Sequence, residues 1–220
     1  MATFVSDSFT DTSGTALASH TGETGATWTK SAISGTGALE ISNANRCRHD
    51  GNASTLWYYA SGTPINANYD VQATVRFLSD VDSQNGVSGR MSTSVDTMYI
   101  AFYNTNATAN FDLYKVVAGS YTQLGTYADA LSAGNERVLL LRMDGDQISV
   151  YIDAVLRIGP ITDTGVTVAN RAGIRAYNVA SDTTGLHIDT FSATDIVAAG
   201  GSVGSGLTTG LKLERLRLVA

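Results

Sequence analysis

Short strand-like stretches recur about every ten residues along this chain, separated by clusters of Gly, Asn, Asp, Ser and Thr, and that spacing constrains the fold more than any other feature. A strand sends successive side chains to opposite faces, so the pattern inside each stretch says how it is covered. Tyr69-Asp-Val71-Gln-Ala73-Thr-Val75-Arg-Phe77 alternates apolar with polar residues, which predicts one core face and one solvent face. Met98-Tyr99-Ile100-Ala101-Phe102-Tyr103 and Val138-Leu139-Leu140-Leu141 are apolar on both faces, and predict central strands covered on both sides. Asp144-Gly145-Asp146, followed by alternating Ile148, Val150 and Ile152, predicts a tight hairpin in which Gly145 takes a positive φ. The two prolines, Pro64 and Pro160, sit beside apparent strand ends. The expected class is all-β, two antiparallel sheets packed as a sandwich. Only 15% of the residues are charged while 22 are Gly, which suits strands joined by many turns rather than surface helices.

The two ends of the main body add a more specific pattern. The chain opens with Asp7-Ser-Phe9-Thr-Asp11-Thr-x-Gly14-x-x-Leu17-x-x-His20, running on to Trp28, and the body closes with His187-Ile188-Asp189-Thr-Phe191-Ser-Ala-Thr-Asp195. With Phe111-Asp-Leu113-Tyr-Lys115-Val116 and Gly173-Ile174-Arg175-Ala176-Tyr177 in order between them, the chain resembles concanavalin A-like lectin/glucanase domains, also called laminin G-like jelly rolls. Such domains are embedded in secreted bacterial proteins and in tailed-phage structural proteins. The resemblance covers roughly residues 7–195 and implies a jelly-roll sandwich whose first and last strands pair. It departs from the family at Asp153-Ala154, where a further Asp-Gly turn is usual.

The organisation read from this is one domain over 1–195 and a C-terminal extension over 196–220. Residues 196–206 are rich in Gly and Ala and read as a connector. The ending Leu211-Lys-Leu213-Glu-Arg-Leu216-Arg-Leu218 spaces its leucines by two, three and two, which fits a bulged strand better than a helical stripe. An unpaired apolar strand is an aggregation hazard unless something covers it, so Leu211, Leu213, Leu216 and Leu218 are expected to form an assembly interface with another chain.

Several function classes are disfavoured outright. A net charge of −6 offers no electrostatic basis for nucleic-acid binding, which rests on Lys and Arg meeting phosphates. No apolar run of about 20 residues could cross a bilayer, so membrane insertion is not expected. Met1 is followed by no basic-then-apolar segment, so synthesis in a host cytoplasm without a signal peptide is expected. Cys47 is the only cysteine, which excludes an intrachain disulfide.

Candidate chemistry is sparse. The family's glucanases place their acids as Glu-x-Asp-x-x-Glu on one strand, but Glu23, Glu40, Glu136 and Glu214 lie far apart, so no catalytic residue is assigned. Related domains often carry a structural calcium ion. Asp80, Asp82, Asp144 and Asp146 could contribute oxygens, yet calcium takes about 6–8 and the last two are explained by turn chemistry. Asp7, Asp11, Asp189 and Asp195 could share a cation where the end strands meet; no cofactor or metal site is otherwise expected. Arg46-Cys47-Arg48-His49-Asp50 puts a thiol beside an imidazole, but a buried Cys next to a turn is the commoner outcome. The aromatic residues Trp57, Tyr59, Tyr99 and Tyr103, grouped with Tyr114, are the candidate ligand platform, since sugars stack on flat rings, and alternation sends Tyr58 away from Trp57 and Tyr59.

The resemblance and the missing acids together imply a non-enzymatic structural protein of a tailed-phage-like virion, a capsid decoration or tail component whose partners are itself and other virion proteins. The alternative from a different class is a carbohydrate-binding adhesion module recognising surface glycans. A glycoside hydrolase is the third reading.

Overall fold

The computed structural model describes residues 2–196, apart from positions 52, 80, 81, 106, 107, 169 and 179. Its strands in chain order are β1 (Thr3–Asp7), β2 (Trp28–Lys30), β3 (Leu39–Ile41), β4 (Cys47–His49), β5 (Thr55–Ala60), β6 (Tyr69–Ser79), β7 (Gln84–Met91), β8 (Met98–Asn104), β9 (Asn110–Val117), β10 (Ser120–Ala128), β11 (Glu136–Asp144), β12 (Gln147–Ile152), β13 (Val155–Thr162), β14 (Arg171–Tyr177) and β15 (Gly185–Asp195). One 3-10 turn, Leu17–Ser19, interrupts them.

Two antiparallel sheets pack face to face. One runs β13-β12-β11-β6-β15-β4-β3, with β1 also pairing with β15; the other runs β10-β9-β8-β7-β14-β5-β2. The first and last strands pair as the end motifs imply, with Asp7 opposite Phe191. Between the sheets, Val71, Val75, Leu139, Leu141 and Val150 meet Tyr58, Val87, Ala101, Leu113 and Ile174 in one continuous core. Each such buried side chain is worth roughly 1.5–3 kcal/mol of transfer free energy, which is what stabilises a chain with no disulfide.

Alternation places β6 as expected, Val71, Ala73 and Val75 inward and Gln72, Thr74 and Arg76 outward. β8 is central and buried on both faces. β11 corrects the sequence reading: Leu139, Leu141 and Met143 are buried, but Val138 and Leu140 are only half-buried, because no further layer covers that face. The Asp144–Gln147 hairpin forms around Gly145, whose φ is 61°. Residues 197–220 lie outside the described residues, and with them the assembly reading of Leu211, Leu213, Leu216 and Leu218.

At the departure from the family pattern, the chain keeps a two-residue turn without glycine. Asp153 (φ 49°) and Ala154 (φ 64°) both occupy the left-handed region between β12 and β13. Asp153 has a local role there, since its Oδ1 accepts a hydrogen bond from the Val138 amide (2.9 Å). Ala154 carries only the strain of its Cβ, about 1 kcal/mol. Ala154→Gly is therefore expected to stabilise the fold by about 0.5 kcal/mol after the extra unfolded-state entropy of glycine. The urea unfolding midpoint should rise, and a lower midpoint would contradict the assignment of strain.

The end motif owes its residues to a buried hydrogen-bond network. His20 is held between Asp7 (Nε2 to Oδ1, 2.9 Å) and Asp11 (Nδ1 to Oδ2, 2.9 Å), and Trp28 Nε1 donates to the other Asp7 oxygen (2.6 Å). Asp189 instead meets Arg46, and Asp195 accepts from the Ile65 amide. His20 thus bridges Asp7 and Asp11, while Asp189 and Asp195 are engaged elsewhere, so the four aspartates do not come together as one set. No cluster of three or more metal-ligating side chains occurs among the described residues.

His187 on β15 is fully buried, its Nε2 donating to the Ser181 carbonyl (2.8 Å), and burial lowers its pKa from 6.5 to about 4. Between those values the unfolded chain binds a proton that the folded chain refuses, so stability falls as pH falls through this window, by about 3 kcal/mol. His49, also lowered by burial, acts in the same sense. His20 acts oppositely: burial pushes its pKa down, but its bonds to Asp11 and Asp7 outweigh this, so its contribution is complete below pH 6.5 and fades as pH rises. Urea unfolding between pH 7 and 4 should show a steep loss in the wild type and a flatter one in His187→Gln. Equal slopes would refute the role given to His187.

Candidate ligand-binding face

The seven-stranded sheet has a second apolar face, directed away from the core. Trp57, Met91, Met98, Ile100, Phe102 and Val116 cluster there, with Tyr59, Tyr114 and Ile33 packed against them. The strand register explains the arrangement. Trp57 lies opposite Arg175, Arg175 opposite Gly86, Gly86 opposite Phe102 and Phe102 opposite Asp112, so one lateral row crosses five strands on the same face. Gly86 is the gap in that row. A Cβ there would lie 2.6 Å from the Phe102 Cβ and 2.0 Å from the Ala101 carbonyl oxygen, so no larger residue fits. The Arg175 guanidinium passes over this gap, its Cζ 4.3 Å from the Phe102 ring centroid and 5.5 Å from that of Trp57.

Beside Arg175 the face is hollowed into a cavity of about 210 Å³, lined among others by Gln84, Phe102, Asp112, Tyr114 and Tyr121. Its chemistry is mixed. Arg175 is only 7% exposed; its Nη2 donates to Gln84 Oε1 (2.6 Å), and its Nε is buried without a partner. Burial lowers its pKa from 12.5 to about 10, still a cation at neutral pH. Asp112 accepts hydrogen bonds at Oδ1 from Asn110 (2.5 Å) and Gln123 (2.9 Å), which orient the carboxylate. Tyr114 stacks on Phe102, centroids 5.7 Å apart, and Tyr121 is 49% exposed. The Tyr121 hydroxyl donates to Asp96 Oδ2 (3.2 Å); burial and this carboxylate raise its pKa to about 12. Such a site offers a fixed acceptor, a fixed cationic donor and aromatic surface within one small hollow.

The residues named from sequence fall differently. Tyr99 and Tyr103 point into the inter-sheet core, where their hydroxyls bond to Asp163 and to the Asp129 carbonyl, so neither reaches this face. The reason is the phase of β8: its odd positions face the core and its even ones, Ile100 and Phe102, face the cavity. Trp57 is on the right face but 2% exposed, beneath Arg175. Tyr59 is half-buried one row away, opposite Gly173. Tyr114, of the same aromatic group, does line the cavity, whereas Asp112 and Arg175 are not singled out by the sequence, although Asp112 alternates with Phe111 and Leu113 and Arg175 stands between Ile174 and Ala176. A charge flanked by core residues on a central strand was the available signal.

Elsewhere, Cys47 is buried within β4 and its thiol pKa is raised well above the ordinary value by burial, a structural cysteine. Glu23 is engaged by Ser8, Glu40 by Arg48 and Glu136 by Arg76.

No protein-family model and no curated protein matches the chain. Solved structures do. The carbohydrate-binding module CBM66 from Bacillus subtilis superposes with a TM-score of 0.61 at 13% identity, covering 76% of this chain and 95% of that one. A Bacillus subtilis protein of unknown function with a galectin-like fold gives 0.63 at 10% identity, covering 89% and 96%. The CBM2 module of the evolved Dit of Lactobacillus casei BL23 phage J-1 gives 0.56 at 14%, covering 87% and 94%. At these identities the likeness is one of fold. The chain is an antiparallel two-sheet sandwich of the jelly-roll type, similar in architecture to galectin-like and carbohydrate-binding-module structures.

Proposed function

We propose that the protein is a non-enzymatic carbohydrate-binding domain whose binding face is the outer side of the seven-stranded sheet. The observation that carries this reading is the cavity at Arg175. Asp112 can accept from a pair of sugar hydroxyls, Arg175 and Gln84 can donate to others, and Tyr114 and Tyr121 present rings to the C–H face of the sugar. The fold likeness to a carbohydrate-binding module supports it. The commitment of Glu23, Glu40 and Glu136 to other partners favours binding over hydrolysis. A glycan array carrying bacterial surface polysaccharides and common mono- and oligosaccharides tests it: discrete positive spots are expected, and a blank array refutes the reading.

The fold likeness to the phage J-1 module favours a second, compatible reading, that the domain is carried on a phage-like particle as a structural component with its binding face outward. Immunogold labelling of particles produced with the protein would place it there, and unlabelled particles would remove this reading without touching the first.

A further inference from the structure

A larger hollow, about 470 Å³, lies on the opposite side of the molecule, on the outer face of the eight-stranded sheet. Val138 and Leu140 from β11 and Tyr151 from β12 form its floor; Gln72, Arg142 and Asp153 stand at its rim. Arg142 gives it no open charge, because it makes a two-pronged bond to Asp70 (2.8 and 2.7 Å) and lies over the Tyr151 ring (5.3 Å). Next to Tyr151 on the neighbouring edge strand β13, Leu156 is 41% exposed and Val155 48%. An apolar depression beside an edge strand is a surface that proteins ordinarily cover.

We infer that this hollow seats the chain's own C-terminal segment 211–218. The first reason is chemistry. Leu211, Leu213, Leu216 and Leu218 supply apolar side chains, and since a cavity of ~150 Å³ takes one benzene-sized group, the hollow has space for about three. The second is charge. Three basic residues and one acidic residue give the segment +2, so the rest of the chain carries −8 of the total −6. The third is reach. The chain leaves β15 at Ile196, bonded to the Asn68 carbonyl just before β6. From there the hollow is three residues along β6 and two strand spacings across, roughly 14 Å. The 14 residues 197–210, five of them Gly, span about 20 Å on average. A linker matched to its gap gives a millimolar effective concentration, so docking within one chain wins over docking between copies at micromolar protein. The segment then acts as a cover for the sheet rather than as a link to a neighbour.

Trypsin reads the seating directly in the full-length protein, because Lys212, Arg215 and Arg217 are its cleavage sites within the segment. Cleavage there, followed by mass spectrometry, is expected to be at least tenfold slower than in a free peptide of residues 205–220. Leu140→Ser in the hollow should restore fast cleavage, and so should Leu213→Ser with Leu216→Ser, a pair that leaves the sandwich untouched. Cleavage of the wild type as fast as the peptide overturns the inference. Protection that survives Leu140→Ser places the seat elsewhere, and protection that fades on dilution assigns the hollow to a second copy; either result also overturns it.

Discussion

Replacing Arg90 by alanine is expected to cost about 4 kcal/mol or more, enough to leave the domain largely unfolded at physiological temperature. Arg90 is 1% exposed at the end of β7, with its backbone in the left-handed region at φ 49°. Its Nε donates to the Ala67 carbonyl (2.9 Å), Nη1 to that of Val166 (2.7 Å) and Nη2 to that of Gly145 (2.7 Å), while its amide donates to the Tyr69 hydroxyl. One side chain thus joins the β11–β12 turn of one sheet to the loops before β6 and β14. Alanine would leave three carbonyls unpaired and a void beside the Tyr99 ring, over which the guanidinium lies at 5.8 Å. Arg90→Met keeps the volume and loses the bonds, and should be nearly as damaging. Urea unfolding measures both, and a loss below about 1 kcal/mol in either would show that these bonds are worth little.

Arg175→Ala is expected to do the reverse, lowering saccharide affinity by about 10–100-fold while changing stability by less than about 1 kcal/mol. Both arginines are buried and neither forms an ion pair among the described residues, but Arg90 is satisfied by backbone carbonyls and Arg175 only by Gln84. A buried cation so poorly compensated contributes little to folding, since removing it also removes its desolvation cost. Its donors are instead kept for something that enters the cavity. Arg175→Lys should not restore binding, because an ammonium cannot lie flat between Trp57 and Phe102 and still donate in the same plane. Calorimetric titration with a saccharide selected on the array, beside urea unfolding, separates the two effects. Undiminished affinity in Arg175→Ala would remove this residue from the site, and a collapse of stability would recast it as a core residue like Arg90.

Much of the architecture is legible in the sequence because strand alternation and turn chemistry are local. The period of two across β6, the Asp144-Gly145-Asp146 hairpin and the pairing of the end strands all follow from residues close together or from order along the chain. The binding face is a different kind of object. Alternation in Met98–Asn104 divides the strand into two faces, both apolar, but nothing local says which faces the other sheet; the phase is set by register with β7 and β9. Choosing the larger aromatics selected Tyr99 and Tyr103, the core phase. Likewise the row Trp57, Arg175, Gly86, Phe102, Asp112 draws on residues spread from β5 to β14, and only the strand order brings them side by side. The open outer face of β11 was missed for a related reason: Val138 and Leu140 are apolar as if covered, and only the layer count shows that the sandwich provides nothing to cover them.

The most direct test of a saccharide site on the seven-stranded sheet is a nuclear magnetic resonance titration of the full-length protein with the strongest array ligand. Shifts should concentrate at the Arg175 Nε–H and at the amides around Phe102, Asp112, Tyr114 and Tyr121. Shifts that instead gather around Val138, Leu140 and Tyr151, or that leave the Arg175 side chain unmoved at saturation, would contradict the placement of the site.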